Sequence, residues 1–302
     1  MIRLGIVGLS EGNGHPFSFS AIVNGYDAEG FRAAGWPVIL DYLQRRTPEE
    51  FGFPGVQVTH AWTQDPATTE RLCRACRIGH GVADPAEMLG QVDALVIGRD
   101  DWETHAALAM PFLERGTPVF CDKPLTLAPA ELERFSPYLR QGRLMSTSGL
   151  RYARELDEVR ADPRRLGDLR LVSATVLNNM ERYGIHMLDA VAGLGLGPVT
   201  RVTRLDAPHE AFLLRIGAAL PFLLNCLGNV AKTFHVSLFG DQGHAHVDLH
   251  DNFSAFRRTL AQFIEMVRTG RPPIPPDETI RTMRLIAGAR ALAPGDTLEV
   301  PP

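Results

Sequence analysis

Apolar residues in the first 122 positions occur in short runs, and two of these runs are followed by amphipathic stretches. The runs at 2–7, 56–62, 92–97 and 117–121 predict β-strands, and the stretches at 66–76 and 102–115 predict helices. Strands that alternate with helices are typical of a parallel sheet. The pattern therefore predicts an N-terminal α/β domain over residues 1–122.

The pattern changes after Pro124, where strands begin to follow one another directly. Strands are predicted at 144–149, 169–177, 200–205, 211–216, 222–226, 233–240 and 244–249, and helices at 129–141, 154–162, 183–193, 253–269 and 277–293. Neighbouring strands of this kind favour antiparallel pairing. Residues 123–302 are therefore expected to form a C-terminal α+β domain with a mostly antiparallel sheet.

The segment between the first two strands is longer than a single connecting helix requires. Residues 24–55 of this segment are rich in glycine, proline and aromatic side chains. We expect an ordered insertion there, beside the turn that follows the first strand. Two interpretations are open: the insertion forms part of a lid, or it is a surface elaboration without functional contacts.

A glycine-rich turn follows the first strand. The G-x-G-x-x-G positions of a dinucleotide-binding turn hold Gly8, Ser10 and Asn13, with Gly12 and Gly14 in addition. Gly8 suits a tight turn, Ser10 is small enough for close approach of a phosphate, and asparagine tolerates positive φ. The helix that follows would direct its first amides at a pyrophosphate. The turn predicts a Rossmann-type dinucleotide site.

The second strand lacks the acidic residue that usually binds the adenosine ribose. The aligned position holds Thr63, with Asp65 two residues later. A missing carboxylate removes one obstacle to a 2′-phosphate, but no arginine takes its place. NAD and NADP both remain open as cofactors.

Two further motifs carry candidate chemistry. Asp122-Lys123-Pro124 ends the fourth predicted strand, and Tyr183-Gly184-Ile185-His186-Met187-Leu188-Asp189 places a histidine and an aspartate three positions apart on a helix. His105 follows a loop with Asp100 and Asp101, whose carboxylates are expected to cap the helix at Trp102. The alternative for this loop is contact with a cofactor ribose or a substrate.

In this order and at these separations, the three motifs resemble the Gfo/Idh/MocA family of NAD(P)-dependent oxidoreductases. The resemblance implies a hydride transfer between NAD(P) and a hydroxyl carbon of a sugar, amino sugar, nucleotide sugar or cyclitol. It implies that Lys123 holds the reacting oxygen and that His186 takes its proton. The implied cofactor contacts are Gly8, Ser10, Asn13, Gly14, Thr63, His105, Asp122 and Lys123. The implied substrate contacts are Arg151, Tyr152, Arg182, Tyr183 and Asp189.

The chain departs from the family pattern at two of these positions. Asp122 replaces the glutamate of a Glu-Lys-Pro signature, and Arg182 replaces the first aspartate of the D-x-G-x-H-x-x-D pattern. A guanidinium at this position could bind a carboxylate or phosphate of the substrate, or it could point to solvent. Asp189 is expected to orient the imidazole or bind a substrate hydroxyl.

Two other functions fit the same motifs. A cofactor-retaining epimerase, eliminase or glycosidase would use transient oxidation without net turnover of NAD(P). A ligand-sensing protein would keep the fold without catalysis, and Arg182 together with the altered turn favours it. Retention of both Lys123 and His186 argues against the sensor.

Composition narrows the class of protein. A net charge of −4 and a pI near 6.2 give no electrostatic reason to expect nucleic-acid binding. The N-terminus predicts a strand and not a signal peptide, and no apolar stretch is long enough for a membrane span. A cytoplasmic protein is expected, and the resemblance implies a homodimer or homotetramer.

The cysteines and the clustered histidines are not expected to bind a metal. Cys73 and Cys76 lie in a predicted helix, without a second cysteine or histidine pair at zinc-site spacing. His244, His246 and His250 would share one face of a strand, which is an arrangement that metal ligands can have. The preferred interpretation is an edge or interface strand, because the family needs no metal.

Overall fold

The computed structural model describes residues 1–301. The chain divides into two compact units. Unit 1 contains residues 1–126, 133–146 and 256–274, and unit 2 contains residues 127–132, 147–255 and the chain from residue 275 onward. The first continuous stretch of unit 1 thus ends close to the boundary expected at residue 122, but two later segments return to this unit.

Thirteen strands and ten α-helices are assigned within the described residues. The strands are β1 Ile2–Val7, β2 Val56–Trp62, β3 His80–Gly81, β4 Ala94–Ile97, β5 Val119–Cys121, β6 Leu144–Met145, β7 Leu169–Val176, β8 Val199–Arg204, β9 Glu210–Ile216, β10 Leu220–Cys226, β11 Phe234–Gly240, β12 His244–Asp248 and β13 Thr297–Glu299. The helices are α1 His15–Asn24, α2 Ala28–Ala34, α3 Pro37–Gln44, α4 Pro66–Ala75, α5 His105–Leu113, α6 Pro129–Arg140, α7 Asp157–Ala161, α8 Ile185–Ala192, α9 Asn252–Thr269 and α10 Pro276–Ala289.

Unit 1 is built on a parallel sheet of six strands in the order β3-β2-β1-β4-β5-β6. All described pairs in it are parallel, with Leu4 opposite Val58 and Ile6 opposite Val96. The expectation that the strand at 144–149 belongs to the C-terminal domain is wrong. Its first two residues form β6 beside β5, and a 3₁₀ turn at Gly149–Tyr152 ends the extended conformation soon afterwards.

The insertion is ordered, and it lies against the glycine-rich turn. It folds into α2 and α3, two helices that the sequence pattern does not predict individually. A Cβ atom on Gly14 would lie 2.5 Å from Ile39 Cδ1 and 2.7 Å from Trp36 Cε3. Phe17 in α1 contacts the rings of Phe31 and Trp36. The insertion is therefore packed as part of unit 1, and a lid function stays a prediction.

Unit 2 is built on a seven-stranded sheet in the order β12-β11-β7-β10-β9-β8-β13. The pairing is antiparallel except between β7 and β10, where Val172 lies opposite Phe222 in parallel register. Alternation places Val172, Ala174 and Val176 in the core. The fold class expected from the sequence, a parallel α/β sheet followed by a mostly antiparallel α+β sheet, is confirmed.

Candidate active site

The glycine-rich turn connects β1 to α1, and its glycines have different functions. A Cβ on Gly8 would lie 2.3 Å from Pro16 Cγ, so only glycine allows this close packing of the turn on the helix. Gly12 has a φ of +74°, and a Cβ atom placed on it would have no neighbour within 4 Å. The positive φ expected at Asn13 is therefore at Gly12, and the space beside Gly12 leaves its backbone open to a ligand.

Ser10 and Lys123 are linked through Asp100. Ser10 Oγ donates to Asp100 Oδ1 and accepts from the Asp100 amide, at 2.5 and 3.1 Å. Lys123 Nζ lies 3.7 Å from Asp100 Oδ2, and the lysine is 4 % exposed. Asp101 is the N-cap residue of the 3₁₀ helix that begins at Trp102, and its side chain forms no cap hydrogen bond there. Asp100 orients a buried ammonium group at the carboxyl end of β5.

Asp122 joins the same strand end to the turn. Its Oδ1 accepts from the Lys123 amide at 2.8 Å, and its Oδ2 accepts from Asn13 Nδ2 at 3.1 Å. His15 Nδ1 lies 2.5 Å from the same Oδ2. Burial alone would raise the pKa of Asp122, but the His15 ring and the Lys123 charge outweigh it and hold the pKa well below its usual range.

His105 does not present a ring nitrogen to a ligand. The residue is fully buried, and its Nδ1 and Nε2 lie 2.8 Å from the Leu125 carbonyl and 2.9 Å from the Arg99 carbonyl. Both nitrogens are thus engaged by the backbone. The expected cofactor contact is replaced by a structural one, in which the ring joins the loop after β4 to the segment after β5.

The expected ribose anchor at Thr63 is also structural. Thr63 Oγ1 lies 2.9 Å from Thr69 Oγ1 and donates to the Asp65 carbonyl, and the residue is 3 % exposed. Asp65 caps α4 by accepting from the amides of Ala67 and Thr68. Gln64, which the sequence did not single out, bonds the backbone of Leu9 through both its amide oxygen and its amide nitrogen. It therefore clamps the glycine-rich turn.

A cavity of about 490 Å³ opens at the carboxyl ends of β2 and β3. In a Rossmann-type fold this is the side of the sheet on which the adenosine half of a dinucleotide binds. Its lining residues are Trp62, Thr63, Gln64, Pro66, Thr69, Glu70, Cys73, Gly81, Val82 and Ala83. Glu70 is the one charged side chain in this set, and it is acidic.

His186 is the second residue of helix α8, which follows a π-type turn at Met180–Gly184. A Cβ on Gly184 would lie 2.5 Å from Met180 Sδ, so glycine permits this tight turn. His186 Nδ1 lies 2.6 Å from Ser148 Oγ, and the imidazole packs on the rings of Tyr183 and Phe234. The ring is thus held at one nitrogen by a neutral hydroxyl.

Asp189 does not bond the imidazole of His186, which was one of the two roles expected for it. Its Oδ2 accepts from the Ser148 amide at 2.6 Å and from Thr147 Oγ1 at 2.9 Å. Burial raises its pKa to about 6, although Arg151 and these hydrogen bonds act in the opposite direction. Asp189 therefore positions the backbone of Ser148, and the Ser148 hydroxyl is the partner of the imidazole.

The remaining residues predicted to contact the substrate have different surroundings. Arg151 forms an ion pair with Glu278, and burial raises the pKa of its neighbour Tyr152 to about 12. Tyr183 stacks on Phe234 beside His186. Arg182 is exposed, with its amide bonded to Asn179 Oδ1. Sequence analysis missed the contacts of Ser148, Thr147 and Gln64, because these residues belong to no recognised motif.

The described residues, 1–301, contain no group of three or more histidine, cysteine, aspartate or glutamate side chains arranged to hold a metal ion. The histidine-rich segment forms β12 at one end of the order of the second sheet, where His246 Nδ1 lies 2.8 Å from Ser237 Oγ. Among the same residues no helix is both long and apolar enough to cross a membrane.

Residues 35–149 match the model of an oxidoreductase family with an NAD-binding Rossmann fold. Lys123 lies within the matched range, whereas the glycine-rich turn and His186 lie outside it. The chain is similar to inositol 2-dehydrogenase 1 of Saccharopolyspora erythraea, with 36% identity over 141 residues. This alignment covers 40% of the chain and 41% of the relative, so it spans about two fifths of either protein.

Solved structures resemble the fold over its whole length. Scyllo-inositol dehydrogenase of Lactobacillus casei, solved with NAD(H) and scyllo-inositol, has a TM-score of 0.76 at 15% identity and covers 99% of both chains. GenD2 from gentamicin A biosynthesis, solved with NAD, has a TM-score of 0.74 at 16% identity, covering 100% of this chain and 97% of its own. At these identities the likeness concerns the fold.

Proposed function

We propose that the chain is a member of the Gfo/Idh/MocA family and an NAD-dependent dehydrogenase or reductase, because residues 35–149 match the family model and 141 residues are 36% identical to an inositol 2-dehydrogenase. Its substrate is a cyclitol or a related sugar, and the reaction takes place at a hydroxyl-bearing carbon. The observation that carries this proposal is Lys123. A buried, oriented ammonium at the carboxyl end of β5 stands beside a glycine-rich turn with an open backbone at Gly12.

The residues of unit 1 fit a dinucleotide. Gly12 gives a phosphate access to the backbone of the turn, and the cavity beyond β2 and β3 is large enough for a nucleoside. When bound, the nicotinamide supplies the hydride acceptor or donor. The cavity lining contains Glu70 and neither lysine nor arginine, so a 2′-phosphate would meet a carboxylate. NAD is therefore proposed over NADP.

Lys123 and His186 have complementary tasks in this reaction. The Lys123 ammonium donates to the reacting oxygen and stabilises negative charge as it develops there. His186, whose Nδ1 lies 2.6 Å from Ser148 Oγ, takes the hydroxyl proton in the oxidative direction and returns it in the reverse direction. Asp100 orients the ammonium, and Asp189 orients Ser148.

The test is turnover of the full chain with NAD or NADP and a panel that includes myo-inositol, scyllo-inositol and simple sugars. Formation of reduced nicotinamide with NAD and a cyclitol is the expected result. Conversion of substrate without change in nicotinamide absorbance would instead favour an epimerase, eliminase or glycosidase. Absence of NAD and NADP binding below the millimolar range in calorimetry would contradict the proposal.

We propose a homodimer or homotetramer as the working form. The family resemblance is the ground for this proposal. The sheet of unit 2 also exposes two large apolar residues, Leu213 and Phe239, which are 41 % and 36 % exposed. They lie on β9 and β11, which β7 and β10 separate, so they do not form one apolar patch. Sedimentation should give a mass of at least twice 33.2 kDa, and a species at the monomer mass alone would exclude the oligomer.

A further inference from the structure

Unit 1 contains an imidazole–carboxylate pair that the proposed proton transfer does not use. His15 is the first residue of α1, and its Nδ1 lies 2.5 Å from Asp122 Oδ2. The side chain of Asp122 is 3 % exposed and that of His15 is 22 % exposed. The carboxylate is thus internal, while the ring stands at the boundary with solvent.

The contacts of Asp122 determine which nitrogen of His15 carries a proton. The carboxylate also accepts from Asn13 Nδ2 and from the Lys123 amide, and these donors favour its ionised form. An ionised carboxylate can only accept hydrogen bonds, so His15 Nδ1 must be the donor. Nε2 is then an acceptor while the ring is neutral and a donor only when the ring is charged.

The start of α1 has fewer backbone donors than a dinucleotide site ordinarily provides. The pyrophosphate of a bound dinucleotide lies at the N-terminus of the first helix, where free amides face it. Here the His15 amide donates to Asn13 Oδ1 at 2.8 Å, and Pro16 has no N–H group. The first two positions of the helix therefore offer no amide to a phosphate.

Aromatic side chains and a buried carboxylate surround the His15 ring. Phe19 and Phe256 pack on the ring, with centroid distances of 5.1 and 4.9 Å. Asp122 is in direct contact with the ring, and Lys123, the residue after Asp122, is paired with Asp100. The Lys123 ammonium is paired with Asp100 and is assigned to the substrate oxygen in the proposed reaction.

We propose that His15, held through Nδ1 by Asp122, is a cofactor-binding residue whose charged ring donates from Nε2 to the pyrophosphate of NAD. The ring supplies a donor that the backbone does not offer there, because the His15 amide is bonded to Asn13 and Pro16 has no N–H group. This inference rests on the proposed function, since it takes a dinucleotide as the ligand. Cofactor binding is then coupled to proton uptake, and affinity decreases as the pH rises.

The first test is calorimetric titration of the full chain with ADP-ribose, which contains the pyrophosphate and lacks nicotinamide. In H15N the amide nitrogen keeps a donor near the position of Nδ1 but leaves nothing at Nε2. We expect ADP-ribose affinity to fall by about ten- to a hundred-fold, because a charge-assisted hydrogen bond is lost. The matched control is H250N, which removes an imidazole that is 75 % exposed in unit 2 and should leave the affinity unchanged.

The second test compares proton uptake by the wild-type chain with proton uptake by H15N. Titrations of the wild-type chain in buffers of different ionisation enthalpy, from about pH 6 to pH 9, report the protons taken up on binding. We expect uptake in the wild type and none in H15N. Unchanged affinity in H15N would overturn the inference, as would wild-type binding without proton uptake at every pH. If the wild type binds neither ADP-ribose nor NAD, the proposed function itself fails.

Discussion

Two histidines have proposed functions, His15 in unit 1 and His186 in unit 2, and they are held at Nδ1 by partners of different charge. His15 contacts the buried carboxylate of Asp122, whereas His186 contacts the hydroxyl of Ser148. A carboxylate requires a proton on Nδ1, and it stabilises a charged ring. A hydroxyl can donate or accept, so it accompanies either protonation state of its imidazole.

Each unit also contains a buried carboxylate, Asp122 in unit 1 and Asp189 in unit 2, and the pKa values of the two are shifted in opposite directions. The pKa of Asp122 is held well below its usual range, because the His15 and Lys123 charges outweigh the effect of burial. The pKa of Asp189 is raised to about 6, because burial outweighs Arg151 and two hydrogen bonds. An imidazole beside a fixed anion therefore suits anion binding, whereas one beside a neutral hydroxyl suits reversible proton transfer.

The greatest loss of activity is expected from removing the groups assigned to the reacting oxygen. We expect His186→Ala to lower kcat by about 10²-fold or more and to leave the Kd for NAD nearly unchanged. Lys123→Ala should lower kcat at least as much, since the developing charge loses its donor. If both residues act in one step, the double variant should be little worse than either single variant.

Steady-state kinetics and NAD titrations of the three variants check this prediction, with H250N as the control for an unrelated histidine. H15N tests the other imidazole in the same assays, because it should weaken NAD binding and leave kcat at saturating NAD within a few-fold. A His186→Ala enzyme with near-normal kcat would mean that α8 is only structural. Fully additive losses would separate Lys123 and His186 into different steps.

The sequence pattern was sufficient to predict helices and strands, and to place motifs that require a particular backbone conformation. Strand alternation gave β1 and β2 at their observed ends, and Asp122-Lys123-Pro124 lies after a buried strand as expected. Hydrogen-bond partners could not be derived in this way. Ser148 and His186 are 38 positions apart, and no periodicity indicates that their side chains meet.

Residues aligned on a family motif lie in the expected elements, but some of them do not make the contacts expected of them. Thr63 and His105 occupy the expected elements, but their polar atoms are satisfied within the protein. The short strand β6 was placed in the wrong domain because two residues carry too little pattern to show which sheet they join. The hydrogen-bond partners of a side chain and the sheet that a strand joins both depend on residues that are distant in sequence.

A smaller effect concerns the dependence of stability on pH at Asp189. A carboxyl whose native pKa is raised from 3.8 to about 6 binds protons more readily in the native state than in the unfolded state. Its contribution to stability is therefore fully present below about pH 3.8 and is lost as the pH rises through about 6. The difference amounts to about 3 kcal/mol at most.

Asp189→Asn should remove this dependence, because the amide does not titrate and can still accept from the Ser148 amide. Urea unfolding of both proteins at pH values between about 4 and 8 measures it as a change in the free energy of unfolding. The wild type should lose stability relative to the variant over this interval. A constant difference between the two proteins across the interval would show that the pKa of Asp189 is not raised.

The mildest of these changes tests the neutral partner of His186 directly. Ser148→Ala removes the hydroxyl from Nδ1 but keeps the backbone amide that Asp189 binds. We expect kcat to fall by about ten-fold and the pH dependence of kcat to shift, since the imidazole loses the group that accompanies its change of protonation. The Kd for NAD should not change, which distinguishes a residue that positions the proton acceptor from a cofactor contact.

Ser148→Thr retains a hydroxyl and should restore most of kcat together with the original pH profile. If Ser148→Ala lowers kcat without moving the pH profile, and Ser148→Thr does not restore it, the hydroxyl serves packing at the start of the 3₁₀ turn and His186 is oriented by its aromatic neighbours.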